Sequence, residues 1–309
     1  MKNENIDLNL LKIFNCVMAT GGITAAATHL GMTTAAVSQA MARLTRLIDE
    51  PLFLRQGRGI NPTNRALSLH QEVQGPLYSI ERAFKSSSAF DPQTSVRKFR
   101  IASHPDIDLI VLPILIEHFS RVAPNCQIEC LPRYLEEDSR QQALRQHSID
   151  LIIATTFINE PGFYNEKLLE LELRSACRVN HPRIRGTLSF EQFFQEKHIG
   201  LDIRRNNEWA IESLASDTLP SRMIAYESNS IFTALSLASR TDWICITSQW
   251  HLEQVHDMFN LQNHPVPWET DNCPIYINWH QPLERDAGLM WLVTQFRSLF
   301  SQLDRFQYP

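Results

Sequence analysis

Residues 24–55 constrain this chain most strongly, because they predict two short helices joined by a tight turn. Gly31 supplies the turn, since glycine readily adopts the left-handed conformation that ends many helices. We expect Thr24 to cap the first helix, and Thr33 or Thr34 to cap the second, because a hydroxyl accepts hydrogen bonds from first-turn amides. The buried side of the first helix is expected to consist of Ala26, Ala27 and Leu30.

The second of these helices carries two unlike faces. An α-helix turns by roughly 100° per residue, so residues spaced three or four apart lie on one face. The apolar face is predicted to consist of Val37, Met41, Leu44 and Ile48. Its other side presents Ala35, Ala36, Ser38, Gln39, Ala42, Arg43 and Arg46. Small residues, an amide and cations suit a helix in the DNA major groove, which requires close approach, base-edge contacts and phosphate neutralisation. An ordinary amphipathic helix with a solvated polar face would show the same periodicity.

The order and spacing of these residues resemble the winged helix-turn-helix of LysR-type transcriptional regulators. The resemblance is carried by Ala26-Ala27, Leu30, Ala36-Val37-Ser38, Leu44 and Pro51-Leu52-Phe53-Leu54-Arg55. Thr45 stands where the family usually has Glu, and Asp49-Glu50 stand where a Gly usually precedes Pro51. These departures, together with residues 7–11, are more similar to the LeuO-like branch of the family. The match is close over residues 1–65 and only a general pattern beyond them.

The resemblance implies a DNA-binding role for the exposed side of the second helix and its surroundings. We expect Gln39 and Arg43 to contact bases. Contacts with phosphate or sugar are expected from Thr34, Ser38, Arg46, Arg55 and Arg58. The remaining residues of the predicted DNA-binding surface are Thr24, Thr33, Ala35 and Ala36.

Two further segments extend the DNA-binding part of the chain. Residues 51–62 predict a hairpin wing whose tip is Gly57-Arg58-Gly59, although a plain surface turn would look similar. Residues 63–85 predict a linker helix with an approximate heptad stripe, the pattern by which a helix pairs with its copy. The stripe consists of Ala66, Leu69, Val73, Leu77, Ile80 and Phe84. Gly75-Pro76 predicts a bend in one helix rather than two helices, and Ser86–Ser88 together with Asp91-Pro92 predict a hinge.

Charge is divided unevenly along the 309 residues. The net charge is -5, but residues 1–98 carry 11 Lys and Arg against 7 Asp and Glu, a surplus of +4. The remaining 18 against 27 give -9 for residues 99–309. A basic head on an acidic body is typical of a DNA-reading module joined to another domain. No apolar run approaches a membrane span and no secretory signal is visible, so we expect a cytoplasmic protein.

The cysteines and histidines show no metal-binding pattern. Six cysteines include no CxxC pair, and no HExxH motif occurs. Most of the thiols are expected to be buried, with redox sensing kept as a minor alternative. No GxGxxG, P-loop or GxSxG motif appears, so we expect neither an enzyme nor a cofactor.

The rest of the chain, residues 91–309, predicts alternating strands and helices, which is typical of parallel sheets with crossover helices. Predicted strands include 98–103, 127–131, 150–155, 198–203, 223–226, 243–247 and 275–279; predicted helices include 106–122, 135–147, 208–215, 231–240, 249–256 and 286–303. The family resemblance implies two α/β halves similar to a periplasmic binding protein. Domain boundaries are predicted at residues 1–62 (winged helix-turn-helix), 63–90 (dimerising linker helix) and 91–309 (effector domain).

In that family the effector lies between the halves, at the carboxyl ends of strands. Mapped onto this chain, the predicted effector-binding residues are Ser103, His104, Asp106, Thr155, Thr156, Ile203, Arg204, Ser228, Asn229 and Ser230. Hydroxyls at strand ends would suit a small carboxylate or polar metabolite, although each could equally be a helix cap. His104 would bring pH sensitivity or narrow the cleft.

The function that accounts for all of these features is a transcriptional regulator that binds double-stranded DNA as a dimer or tetramer and responds to a small molecule. A solute-binding protein with no DNA role, or a redox-sensing regulator, is the alternative. The first alternative would need no helix-turn-helix head.

Overall fold

The structure is a computed structural model that describes residues 7–56, 59–85, 90–131, 137–201, 204–205, 208–209, 212–255 and 257–301. By packing, the chain divides into two units. The first consists of residues 1–90 with 136–150, and the second of residues 91–135 with 151–309.

The first unit begins with three helices and a hairpin: α1 (Leu8–Thr20), α2 (Ile23–Leu30), α3 (Thr34–Ile48), β1 (Phe53–Gln56) and β2 (Gly59–Pro62). Asp7 caps α1, and Gly21 ends it in the left-handed region at φ 72°. The expected cap at Thr24 is wrong, because α2 starts directly after Gly22, whose extended backbone forms the N-cap without a side-chain bond. Gly31 ends α2 at φ 64°, as the turn prediction required.

The three helices enclose one apolar core. Its buried members on these helices are Leu10, Phe14, Val17, Ala26, Ala27, Val37, Ala40, Met41 and Leu44, and Leu52, just before β1, joins them. The predicted apolar side of α3 is therefore confirmed, with Ile48 partly buried at its end. The prediction that Leu30 is buried is wrong. Leu30 is 36% exposed, because it is the last residue of α2 and lies beside the turn.

The wing prediction is confirmed. Strands β1 and β2 pair antiparallel, with Phe53 opposite Pro62. The Thr63 hydroxyl donates to the carbonyl of Pro51 at 2.8 Å, which joins the base of the hairpin to the next helix. Arg58, at the predicted wing tip, lies outside the described residues.

The linker is a single helix, α4 (Asn64–Lys85), that contains Pro76 and is capped by the Thr63 hydroxyl. Ala66 and Leu69 of the heptad stripe are buried in the core of the first unit, so they are not available to a second copy. Ile80 is 37% exposed. Gly75 lies so close to residues 146–148 that a Cβ there would fall 1.9 Å from the carbonyl oxygen of Gln146. Of the predicted hinge, Ser86–Ser88 lie outside the described residues, and Asp91-Pro92 lead into a turn.

In chain order, the remaining elements are β3 (Lys98–Ser103), α5 (Pro105–Val122), β4 (Gln127–Cys130), α6 (Glu137–Arg145), β5 (Leu151–Ala154), β6 (Phe163–Leu171), β7 (Leu173–Arg178), α7 (Phe190–Gln195), β8 (Lys197–Leu201), β9 (Arg204–Arg205), β10 (Glu208–Trp209), β11 (Met223–Ser228), α8 (Ile231–Ala238), β12 (Ile244–Ser248), α9 (Gln249–Val255), β13 (Leu261–Pro265), β14 (Cys273–His280) and α10 (Ala287–Phe300). Helix α6 groups with the first unit and the others with the second.

The second unit contains two five-stranded sheets, which define its two halves. The first sheet has the order β4-β3-β5-β14-β6, with β3 parallel to β4 and β5. The second has the order β11-β8-β12-β7-β13, with β8 parallel to β11 and β12. The predicted parallel cores of two α/β halves are confirmed. The antiparallel strands β6, β7 and β13 were not predicted.

One predicted helix is wrong. Residues 208–215 have helix-forming composition, but β10 pairs antiparallel with β9, and the next residues that the structure describes form a 3-10 turn, Glu212–Leu214. Pairing with a neighbouring segment outweighed the local helix propensity, because such propensities amount to less than about 1 kcal/mol per residue.

Candidate DNA-binding face and effector cleft

Helix α3 is anchored at both ends. The Thr33 hydroxyl accepts a hydrogen bond from the amide of Ala36 at 3.1 Å, so Thr33 rather than Thr34 is the N-cap. Asp49 ends the helix in the left-handed region at φ 59°. Val37, Met41 and Leu44 fix the helix on the core, and this fixes which side is presented to solvent.

The opposite side of α3 is exposed as predicted. Its exposed residues are Thr34, Ala35, Ser38, Gln39, Ala42, Arg43 and Arg46, with Ala36 half-buried. The guanidinium of Arg43 lies 3.7 Å from the carboxylate of Asp7, and its side chain is 54% exposed. Exposed ion pairs contribute little stability, so Arg43 can leave Asp7 for a phosphate or base at small cost. Arg46 donates from Nε to the carbonyl of Ala42 at 3.3 Å.

The other predicted DNA contacts lie on neighbouring elements. Thr24 and Thr33 are exposed at the start of α2 and before α3. Arg55 lies in β1, where its backbone pairs with Ile60. Phe53 and Ile60 of the wing pack against the same core as α3, so the two belong to one domain. In helix-turn-helix proteins such an arrangement lets one helix enter the major groove while a flanking segment contacts the backbone.

In each half of the second unit a parallel strand ends shortly before a helix, β3 before α5 and β11 before α8. In such folds ligands bind outside the carboxyl ends of the strands. Ser103 ends β3 and is buried, and its hydroxyl makes a short hydrogen bond to the carboxylate of Asp108. Burial raises the pKa of Asp108, and this hydrogen bond and nearby His104 partly offset the shift.

His104 has a role that the sequence did not predict. Its Nδ1 accepts from the amide of Asp106 at 3.2 Å, so the imidazole caps α5. The Asp106 carboxylate lies 3.5 Å from the same ring nitrogen. Histidine thus takes the position that Ser, Thr, Asp or Asn usually occupies.

Several predicted effector residues act as caps or are exposed. The Ser228 hydroxyl donates to the carbonyl of Ser230 at 2.9 Å, and the Ser230 hydroxyl accepts from the amide of Thr233 at 3.4 Å to cap α8. Asn229 is exposed. Thr155 and Thr156 follow β5 and are half-buried. Ile203 lies outside the described residues, and Arg204 lies in β9.

The structure brings Asp106 of the first half to the second half. Its carboxylate accepts from the amide of Ile231, the first residue of α8. His251 of α9 contacts the backbone carbonyl of Asp106, and the Ser248 hydroxyl contacts the same imidazole. Sequence reasoning missed Ile231, Ser248 and His251, because a backbone amide and a lone histidine carry no motif. Only the pairing of two halves places them beside Asp106.

The thiols do not favour redox sensing. All six cysteines are free. Burial raises the pKa of Cys130, Cys177 and Cys245 to about 12, so these thiols are protonated near neutral pH. The thiolate is the reactive form, and a high pKa therefore slows oxidation. Among the described residues, no group of three or more His, Cys, Asp or Glu is placed to hold a metal ion.

Within the part of the chain that the structure describes, no single helix has the length and apolar character to cross a membrane. α1 and α2 reach that length and composition only when counted together, and they are bent by 119° at their break.

A winged helix-turn-helix followed by two α/β halves defines a class of protein: a DNA-binding transcriptional regulator with an effector domain. Two family models match this chain, the bacterial regulatory helix-turn-helix of the lysR family over residues 8–67 and the LysR substrate binding domain over residues 92–301. The chain therefore belongs to the LysR family of transcriptional regulators, and the predicted family is confirmed.

Characterised relatives extend over nearly the whole chain. It is 31% identical to the HTH-type transcriptional regulator LeuO of Escherichia coli (strain K12), over 95% of this chain and 92% of LeuO. It is 28% identical to the HTH-type transcriptional activator NagR of Ralstonia sp, over 98% of this chain and 100% of NagR. A probable transcriptional regulator of Pseudomonas aeruginosa has the same fold, with a TM-score of 0.78, 24% identity and coverage of 95% of this chain and 97% of that one. All three are named as transcriptional regulators or activators.

Proposed function

We propose that this protein reads its operator with the exposed side of α3. Gln39 and Arg43 contact base edges in the major groove, and Thr34, Ser38, Arg46, Arg55 and Arg58 contact phosphate or sugar. Thr24, Thr33, Ala35 and Ala36 complete the surface. The single observation that supports this most is the division of α3, whose apolar side is buried while its small, amide and cationic residues are exposed.

The side chains of this surface match the chemistry of the groove. A guanidinium donates two hydrogen bonds to guanine, and a glutamine amide does the same for adenine by donating and accepting. Alanine residues at 35, 36 and 42 leave the helix backbone free to approach the bases. Arginines on α3 and the wing would release counterions from the phosphates, so binding should weaken as salt rises.

Replacing Arg43 with alanine tests the role of the guanidinium in base reading. We expect the variant to lose discrimination at particular base pairs, by about 1–3 kcal/mol at each. The measurement is the set of sequences that each protein selects from a randomised pool of DNA duplexes. Arg121→Ala is the matched control, because Arg121 is an exposed arginine of α5 and its loss changes the net charge equally.

The pattern of loss identifies the role. Relaxed preference at one or two positions, with the control unchanged, supports base contact. Uniform weakening over all sequences with preference intact would show instead that Arg43 acts only on phosphate.

The same proposal covers assembly, the effector and location. The protein acts in the cytoplasm as a dimer, with tetramers formed from two dimers. Its division is residues 1–62 for DNA binding, 63–90 for the linker helix and 91–309 for the effector domain. A small polar molecule binds in the cleft between the two sheets of the second unit and alters the assembly on DNA. The charge surplus of +4 on residues 1–98 is small, and this favours binding through paired heads.

A further inference from the structure

The carboxylate of Asp106 occupies the position at which a helix N-terminus would hold an anion. Both of its oxygens lie 3.1 Å from the amide nitrogen of Ile231. Ile231 is the first residue of α8, in the second half, whereas Asp106 lies in the first turn of α5, in the first half. Free amides and the helix dipole make such a terminus favourable for negative charge. Here the chain supplies that charge itself.

The contact is buried and not a surface encounter. Asp106 is 8% exposed, and Ile231 is 2% exposed. A hydrogen bond between a charged acceptor and an amide is about twice as strong as a neutral one, and leaving either partner unpaired in a buried place is costly. Asp106 therefore joins the two halves through a buried contact.

A second contact holds the backbone of the same residue. The Nε2 of His251 lies 3.1 Å from the carbonyl oxygen of Asp106, and the Ser248 hydroxyl lies 2.7 Å from Nδ1. Burial lowers the pKa of His251, so the ring is neutral and carries one N–H. A carbonyl oxygen only accepts, so the proton is on Nε2 and Nδ1 accepts from Ser248. Carboxylate and carbonyl of Asp106 are thus both held by the second half.

Two hydroxyls of the predicted effector-binding set are also engaged. Ser103 bonds to Asp108, and Ser228 bonds to Ser230. An incoming carboxylate would meet the Asp106 and Asp108 carboxylates at the start of α5 and would find the Ile231 amide taken. Like charges at close range in a buried site oppose each other strongly.

We propose that Asp106 is the built-in anion of the effector cleft: it joins the two halves at the N-terminus of α8 and excludes small carboxylates from that position. The proposal rests on the proposed function, because it specifies the ligand chemistry of the same cleft. It replaces the expectation of a carboxylate effector with a site that selects against one.

Chemical rescue of an Asp106 variant tests this. Full-length Asp106→Ser keeps a residue that helix starts tolerate and leaves room for acetate. Its melting temperature should fall by about 3–10 °C. Sodium acetate should then raise it more than sodium chloride of equal ionic strength does. The wild-type protein and Asp106→Asn, in which an amide fills the position without charge, should respond to the two salts alike.

Each other result overturns the proposal. An unchanged melting temperature in Asp106→Ser would show that the contact does not join the halves. Equal acetate effects in all three proteins, or none in the serine variant, would show that the position does not select for an anion. If the serine protein does not fold, hydrogen exchange at the start of α8 in Asp106→Asn decides: exchange faster than in wild type supports the proposal, and equal exchange contradicts it. These readouts use no DNA, so failure of DNA binding would overturn the proposed function separately.

Discussion

Replacing Phe14 with alanine is expected to destabilise the helix-turn-helix domain by about 3–5 kcal/mol and to abolish DNA binding. Phe14 is fully buried at the centre of the first core, and its ring lies 5.9 Å from that of Phe53 and 6.3 Å from that of His70. Truncation removes the contacts of α1 with the wing and with α4 at once and leaves a cavity. Domains have total stabilities of only about 5–15 kcal/mol, so this loss is a large fraction.

The measurement is hydrogen exchange by mass spectrometry, with DNA affinity measured in parallel. Protection should fall over residues 8–48 and remain over residues 98–103. Leu8→Ala is the control, because Leu8 lies on the same helix and is 46% exposed; it should change stability by at most about 0.5 kcal/mol. Normal protection and affinity in Phe14→Ala would contradict the packing of the domain.

The corresponding change in the second unit is Phe99→Ala, again with an expected cost of about 3–5 kcal/mol. Phe99 is fully buried on β3, the strand between β4 and β5. Its ring lies 5.9 Å from Phe119 and 6.1 Å from Trp291, and the Arg97 guanidinium lies 4.7 Å above it. The substitution therefore removes the centre of an aromatic cluster that joins β3, α5 and α10.

Hydrogen exchange should show the opposite distribution for this variant. Protection should fall over residues 98–103 and 151–154 and persist over residues 8–48. Val96→Ala is the matched control, since Val96 precedes the same strand and is 80% exposed. Equal loss of protection in both units would show that they do not unfold independently.

The sequence predicted the parts of the fold that are specified locally. Val37, Met41 and Leu44 recur at helical spacing, and Gly31 ends α2 in the left-handed conformation that favours glycine. The helix-turn-helix could therefore be predicted from the sequence. The strands of the parallel sheets, such as β5, could also be predicted locally, because each is a short run of apolar residues. Strand β6 was not, because its exposed positions carry Asn165 and Lys167 and it pairs with β14, more than a hundred residues away in the chain.

The exposure and the position of the candidate site residues could be predicted where local sequence determines them, but not where contacts between the two halves determine them. Exposed residues of α3 followed from periodicity. The hydroxyls Ser103 and Ser228 were placed correctly near strand ends, but their bonding to Asp108 and Ser230 depends on geometry that spacing does not contain. The contact of Asp106 with Ile231 joins residues 125 positions apart. Likewise, burial of Ala66 and Leu69 in the first core depends on how α4 packs against α1, which a heptad pattern alone cannot specify.

The proposed function requires that the protein prefer a particular DNA sequence over others. Fluorescence anisotropy of the full-length protein on a duplex from beside its own coding region, compared with a shuffled duplex of equal length and composition over rising salt, tests it most directly. We predict tighter binding to the native duplex at every salt concentration, and affinity for both that falls steeply with salt. Equal affinity for the two duplexes, or affinity that does not depend on salt, would contradict it.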